Sequence, residues 1–520
     1  MGRSALTTDT KGDRAVAIGN YALNAQNFTT TTDNYNVAVG YSAGLSVTTG
    51  VENTLIGGEA GDALTDADYN VGVGYRALGA DTLGSRSVAV GRSALANQNQ
   101  TTATNTYNVA VGYAAGSGMS TGIRNTLLGG EAGDALTSAL DNVAIGYQAL
   151  TADTLGQRNI AIGNNTLDAQ NFTTATNSYN TAVGYAAGGK VTTGIQNTLL
   201  GGLAGDALTD ADLNVAIGME ALTTDTLGSK STAIGYNALA VQNFTTATDT
   251  HNVAVGFQAG TAVTTGTQQT FIGSLAGDAL NTGDRNTAVG YAALSGDTKG
   301  NRSTAVGWGT LAVANQSSDV NVYNLAIGYN AGNDVTTGVS NTLVGALAGD
   351  AMTTGSSNTG VGIHAIGNAI VTGDNNTAVG VQAGYNLTSG DNNLLLGHDA
   401  GMSGSPGGVV TTHDNEIHLG DENIASAHIQ VSFVAASDER DKTDFVDLDL
   451  GLDFVKALEP VTYYWDKRSK YGDKYAEDYD LNAQTPDGTH KEDQMEIGFK
   501  AQAVRDLEAV SYTHLTLPTI

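Results

Sequence analysis

Asn36-Val37-Ala38-Val39-Gly40 and Asn108-Val109-Ala110-Val111-Gly112 are two copies of one motif: Asn or Ser, any residue, Ala or Leu, an aliphatic, then Gly. Working outward from them, the Gly recurs at positions 2, 19, 40, 57, 74, 91 and 112 and onward to 420, with steps of 21, 17, 17 and 17. Gly40, Gly112, Gly184, Gly256 and Gly328 are each 72 residues apart, and the order decays only after Gly362. A block of four units has therefore been duplicated several times, and a short fixed period is the signature of a stacked repeat. A unit of 17 residues is too short for a helical hairpin and suits one coil of a β-solenoid. Within the motif, Val37 and Val39 face one way while Ala38 and Gly40 face the other. One face is branched and β-favouring; the other is small enough for close backbone approach. Gly40-Tyr41-Ser42-Ala43-Gly44 supplies a bend, and Asp81-Thr82-Leu83-Gly84-Ser85-Arg86 is polar turn material.

The composition agrees with a rod and excludes several function classes. The chain has 520 residues with 68 Gly, 4 Pro and no Cys, and its formal net charge is −29. Scarce Pro suits a coil that must donate every ladder hydrogen bond. The acidic balance argues against a nucleic-acid partner, whose affinity rests on Lys and Arg. Without Cys there is no disulfide framework and no thiolate metal site. No apolar run approaches the ~20 residues of a membrane helix, so no membrane insertion is expected. At ~4.8 Å per coil, the 24 marker glycines would span roughly 110 Å. A single coil cannot bury its own apolar face, and large apolar side chains are few, so three chains wrapped about one axis are expected.

These residues carry a resemblance. Asn-Thr-Ala-Val-Gly-Tyr at 180–185 and 286–291 resembles the repeat of phage tail fibres, and is similar to the repeat of trimeric autotransporter adhesin heads. The likeness covers about residues 2–401 and implies an all-β, homotrimeric β-solenoid or β-roll shaft.

Within the shaft, Tyr follows the marker Gly at Tyr41, Tyr75, Tyr113, Tyr147, Tyr185, Tyr236, Tyr291 and Tyr329, with Trp308 as a variant. An aromatic ladder with wet hydroxyls is expected, a sugar-binding stripe being the alternative. Gly58-Glu59-Ala60-Gly61-Asp62 lacks the nine-residue spacing of calcium-binding repeats, and Asp62 reads as a turn residue. The four extra residues of every fourth coil fall in loops such as Asn24–Tyr35, rich in Asn, Thr and Gln. Loops on a rigid scaffold are where recognition sits. The loops around Phe28, Phe172 and Phe244, read as exposed aromatics, are the candidate receptor contacts, with solvated spacers as the other reading. The eight His show no metal-ligand spacing, and no metal or cofactor is expected.

The polymer changes near Ser437. Residues 1–436 hold 13 Lys/Arg and 33 Asp/Glu, whereas 437–509 hold 10 and 19 in a far shorter span. Beyond this point come Ser437-Asp438-Glu439-Arg440-Asp441-Lys442, an amphipathic helix over 451–461 ending near Pro460, a strand Val461–Trp465, and Gly498–Gln502 leading into a helix. In this order they resemble the endosialidase-type intramolecular chaperone, a self-cleaving α+β module at the end of tail fibres and tailspikes. Read alone, Ser437–Lys442 is a charged loop. The resemblance implies a Ser437–Lys442 cleavage dyad supported by Asp438 and Arg440, acting as a single-turnover endopeptidase with no activity in trans. A desolvated Lys with a lowered pKa can serve as the base for a Ser hydroxyl. On a helix five residues subtend ~500°, so the dyad would need a turn.

The expected organisation is a solenoid shaft at 1–401, a β-rich neck at 402–436, a truncated chaperone at 437–509, and 510–520 resembling translated sequencing adapter. Gly2-Arg3-Ser4-Ala5-Leu6 repeats Gly91-Arg92-Ser93-Ala94-Leu95, so an attachment domain that binds tail or baseplate proteins is expected before residue 1. The expected function is a virion tail fibre, made in the host cytoplasm, that recognises a cell-surface glycan or protein receptor. The rival readings are a bacterial trimeric surface adhesin and a polysaccharide-depolymerase tailspike.

Overall fold

The computed structural model describes residues 2–367, 369–428, 456–466, 471, 483–491, 493, 495–500 and 503–504. Two compact units divide at residue 427: Met1–Ala427 and His428–Ile520.

The first unit is a parallel β-solenoid. Each coil contributes one three-residue strand, the first Val16–Ile18 and the last Ile417–Leu419. The 23 strands pair in chain order, parallel and in register, so Val37, Ala38 and Val39 stand beside Thr54, Leu55 and Ile56. The ladder is linear, each strand pairing only with the coil before and the coil after, and at ~4.8 Å per step it runs roughly 105 Å. The marker glycines stack where nothing larger fits. Gly40 has φ +145°, and a Cβ there would lie 2.3 Å from the Gly57 carbonyl oxygen.

The insertions form structure of their own. In each long coil two residues pair in parallel with the coil before: Gly12–Asp13 with Thr32–Asp33, and Gly84–Ser85 with Thr104–Asn105. Three later blocks repeat the pairing, which makes five two-stranded sheets beside the main ladder.

The core runs inside a single chain. The middle residue of each strand points inward; Ala38, Leu55, Ala89 and Ala110 are fully buried. Side-chain volumes are matched along the column. Leu55 is opposed by Gly61 in its own coil, whereas Ala89 is opposed by Leu95. Where a coil carries Ala38 and Gly44, its neighbours fill the gap: a Cβ on Gly44 would lie 2.9 Å from both Leu23 and Leu55. Near-crystalline filling of this kind leaves no room for a larger residue.

Beside the apolar column runs a buried asparagine ladder. Asn53 N–H donates to Asn36 Oδ1 at 2.9 Å, and Asn53 Nδ2 donates to the Ala67 carbonyl at 2.8 Å. Asn70 repeats both contacts one coil on, at 3.0 Å to Asn53 Oδ1 and 2.9 Å to the Gly84 carbonyl. Each amide thus satisfies the backbone at the bend into the strand, which a buried turn requires.

In the second unit, Pro460–Tyr464 pairs antiparallel with Met495–Phe499. The strand expected at Val461–Trp465 is therefore present, shifted by one residue. Of the helices expected there, Lys456–Ala457 and Ala503–Val504 are the described residues, and they are helical.

Candidate functional site

Three features can do chemistry or recognition: the outward strand face, the long coils, and the C-terminal unit. The strand face comes first because it is largest. Its third position is Val, Ile or Leu in all 23 strands of the ladder, and its first is Val, Ile, Leu or Thr. These side chains point away from the core and are half-buried or exposed, as with Val16, Ile18, Ile56 and Val111. An apolar stripe thus runs the length of the solenoid.

The Tyr column flanks that stripe, and its rings are exposed, as with Tyr41 and Tyr185. Continuous stacking is confined to the later blocks: Tyr236 on Phe257 at 5.5 Å, and Tyr291, Trp308 and Tyr329 at 5.8 and 5.2 Å. Elsewhere Gly58, Gly130 or Gly202 interrupts the ladder.

The long coils correct one expectation. Phe28, Phe172 and Phe244 are 5%, 6% and 6% exposed, so the rings are not presented to solvent. The cause is the second strand, which draws the insertion inward; Phe28 lies against Gly12, with 2.9 Å between its ring and a Cβ built there. Phe172 and Phe244 N–H donate to Asp153 and Asp225 at 3.2 and 3.0 Å. What these loops expose is polar, as at Thr29, Thr30 and Thr31.

Below the second, third and fourth long coils lies a buried Asp–Gln pair that the sequence reading did not single out. Gln170 Nε2 donates to Asp153 Oδ2 at 2.6 Å, and Gln242 to Asp225 at 2.5 Å. Asp153 Oδ1 also accepts Gly156 N–H at 2.9 Å. Burial pushes the Asp81 and Asp153 carboxyls above the usual range, outweighing the N–H groups that pull them down. Asp62, Asp278 and Asp350 are also pushed up by burial, each with a buried oxygen lacking a partner. The detectable signal was the regular recurrence of Asp and Gln at corresponding positions in the 72-residue blocks.

Near the end of the ladder, His398 Nδ1 lies 3.1 Å from Asp399 Oδ2 and 3.5 Å from Asp421 Oδ2. Consecutive coils bring these together, which linear spacing hid. Asp421 already accepts two hydrogen bonds from Asn423, at 3.0 Å each, and these hold its carboxyl below the usual range. The trio could gather a cation, but its geometry is equally that of an ion-pair cluster.

In the C-terminal unit, Asp466 accepts the Tyr471 hydroxyl at 2.8 Å and Gly488 N–H at 2.9 Å, and Lys491 sits 3.9 Å from the Tyr464 ring centre. Ser437, Asp438, Arg440 and Lys442 lie outside the described residues. Residues 437–511 match the family model described as chaperone of endosialidase. No curated protein and no solved structure matches the chain. The protein is thus a long parallel β-solenoid followed by a C-terminal endosialidase-chaperone domain. Among the described residues no helix is long and apolar enough to cross a membrane.

Proposed function

We propose that the solenoid is the shaft of a homotrimeric phage tail fibre whose C-terminal domain drives its assembly. One observation carries the reading: an endosialidase-chaperone match follows 23 stacked coils whose outward strand face carries Val, Ile or Leu at its third position in every coil. At roughly 105 Å by 10 Å, that face offers about 1,000 Å² of largely apolar surface, beyond the few hundred usual for a lone soluble chain. Two further copies, each presenting the same face about one axis, would cover it. Near-identical coils would otherwise pair in many registers, so a trimeric nucleus at the C-terminus is needed to set one. Cleavage between Ala436 and Ser437 by the Ser437–Lys442 dyad, with Asp438 and Arg440 beside it, would then release a kinetically trapped shaft. The fibre would sit in the virion, joined to tail or baseplate proteins, and attach to a host glycan or protein receptor through its exposed long-coil loops.

Light scattering on residues 1–436 fused to a complete endosialidase-type chaperone tests assembly. Three times the chain mass is expected at concentrations where Val→Lys substitutions at Val111, Val183 and Val255 give monomer. A parent that is monomeric at all concentrations would remove the trimer. Binding of labelled protein to bacterial cells tests attachment separately.

A further inference from the structure

The ladder position is Asn in most coils, with Ala15, Ser87, Ser231 and Ser303 among the exceptions. The residue just before it is exposed or half-buried and adopts left-handed φ in successive coils, as at Arg14 (+65°), Tyr35 (+50°), Arg86 (+65°) and Tyr107 (+51°). This column holds 7 of the 13 Lys/Arg of residues 1–436: Arg14, Arg86, Arg124, Arg158, Lys230, Arg285 and Arg302. Five of them stand on the coil that precedes a long coil, and the long coil answers with an aromatic at the same position. Arg86 lies 5.8 Å from the Tyr107 ring centre, with Tyr69 of the coil before at 4.9 Å on its other side; Arg158 is 5.6 Å from Tyr179, and Arg302 5.4 Å from Tyr323. Arg158 and Arg302 also donate to the hydroxyls of their tyrosines, at 2.9 and 2.5 Å. The first block repeats the stack with Arg14 and Tyr35 at 5.2 Å, and the fourth changes both partners together, to Lys230 and His251.

The duplicated blocks supply an internal control. At the two intervening positions of this column the copies have drifted: Glu52 and Tyr69, Arg124 and Asp141, Gln196 and Leu213, Gln268 and Arg285, Ser340 and Ser357. Only the basic–aromatic pair beside the long coil keeps its chemistry in all five. Its cations are not equally neutralised. Arg14 pairs with Asp33 at 3.2 Å and Lys230 with Asp249 at 2.5 Å, both from the long coil. The other blocks carry Asn105, Asn177 and Asn321 there, and Arg86 donates to Asn105 at 3.0 Å. Asp141, 3.9 Å from Arg158, is already engaged by Arg124 at 2.5 and 3.0 Å.

We infer that the Arg86–Tyr107, Arg158–Tyr179 and Arg302–Tyr323 pairs are repeated subsites for an acidic polysaccharide, with acid groups on the guanidinium and sugar faces against the exposed ring. The inference rests on the receptor-binding reading above and names its ligand class and place. A guanidinium is a bidentate partner for carboxylate or phosphate, and an aromatic face offers low-entropy contact area for a sugar ring. Successive blocks are four coils apart, about 19 Å, so one polymer chain can engage several subsites and gain avidity without new contacts. A molecule of net charge −29 repels polyanions in general, so retention of one points to local sites.

The test uses the 520-residue chain against immobilised polygalacturonate for carboxylate, inorganic polyphosphate for phosphate, and neutral dextran. The parent is expected to bind at least one acidic polymer and not dextran. Arg86→Gln/Arg158→Gln/Arg302→Gln should weaken that binding at least tenfold, while Arg76→Gln/Arg124→Gln/Arg285→Gln, with the same charge change and Arg76 held by Glu59, should stay within about twofold. Equal losses in both triples would reduce the effect to general charge. No acidic-polymer binding by the parent would overturn the inference, as would unchanged binding in a first triple that merely melts lower, which marks the pairs as staples of the long coil. The readout needs neither cells nor trimers, so a failed fibre reading shows in attachment and mass, not here.

Discussion

Gln98 Nε2 donates to Asp81 Oδ2 at 2.5 Å, with both side chains fully buried between consecutive coils. The same amide donates to Ser87 Oγ at 2.9 Å and accepts Asn108 Nδ2 at 2.8 Å, which ties the carboxylate to the asparagine ladder. In the fifth block Ala314 occupies the Gln position and Val322 replaces the threonine that bonds the serine. There Asp297 Oδ2 and Ser303 Oγ are buried without a partner.

Restoring the missing groups should therefore stabilise the fifth block. Ala314→Gln with Val322→Thr is expected to add about 1–3 kcal/mol, the usual cost of leaving such buried groups unmade. Thermal melting followed by circular dichroism reads the change. A lower midpoint in the double variant would mean the site has closed around the smaller residues.

The Asp81 and Asp153 carboxyls give a pH signature opposite in sign to ordinary acid unfolding. Burial raises both above the ordinary aspartate value of 3.8, so the folded chain binds these protons more tightly than the unfolded one. Their contribution is complete below 3.8 and is lost as pH rises through the raised folded value. Asp81→Asn/Asp153→Asn should consequently compare more favourably with the parent at pH 7 than at pH 3.5. A comparison that favours the variant more at the acidic end would reverse the assignment.

Asn197 tests the asparagine ladder. It donates to the Ala211 carbonyl at 2.8 Å and accepts Asn214 N–H at 3.0 Å, fully buried. Asn197→Ala should cost about 1–3 kcal/mol per orphaned group, with faster hydrogen exchange centred on the coils of Thr198–Leu200 and Val215–Ile217. Exchange rising evenly along the solenoid would instead mean that the stack opens as one unit.

Ser437 and Lys442 carry the cleavage proposal. With residues 1–436 followed by a complete chaperone domain, mass spectrometry should find an N-terminal product ending at Ala436, absent in Ser437→Ala and slowed roughly 100-fold or more in Lys442→Ala. Both variants should still form trimers, because the nucleophile and its base are not needed for packing. Unimpaired cutting in Ser437→Ala would assign the chemistry elsewhere.

The coil period and strand positions were legible because one glycine answers two demands at once. Gly40 must take φ +145° and must also let the Gly57 carbonyl pass, so it cannot drift. The left-handed turns were hidden, since Leu23 at φ +48° and Tyr35 at +50° carry residues that ordinarily avoid that region. Aligning coils would have exposed them, because Gly44 and Gly61 share a column with Leu78 and Leu95. Phe28 was misread because a four-residue insertion looks like a surface loop until its second strand is known. The Asp81–Gln98 pair was missed because its members are 17 residues apart and meet only when coils stack, although both recur from block to block.

The linear, in-register ladder has a consequence for heredity as well as mechanics. Each 72-residue block ends with the backbone poised as it began, so gene segments encoding whole blocks are interchangeable. Unequal recombination between them would lengthen or shorten the shaft in increments of about 19 Å, without breaking a strand pairing or altering either terminus. For the fibre proposed above, length would then be set in discrete steps, one block at a time.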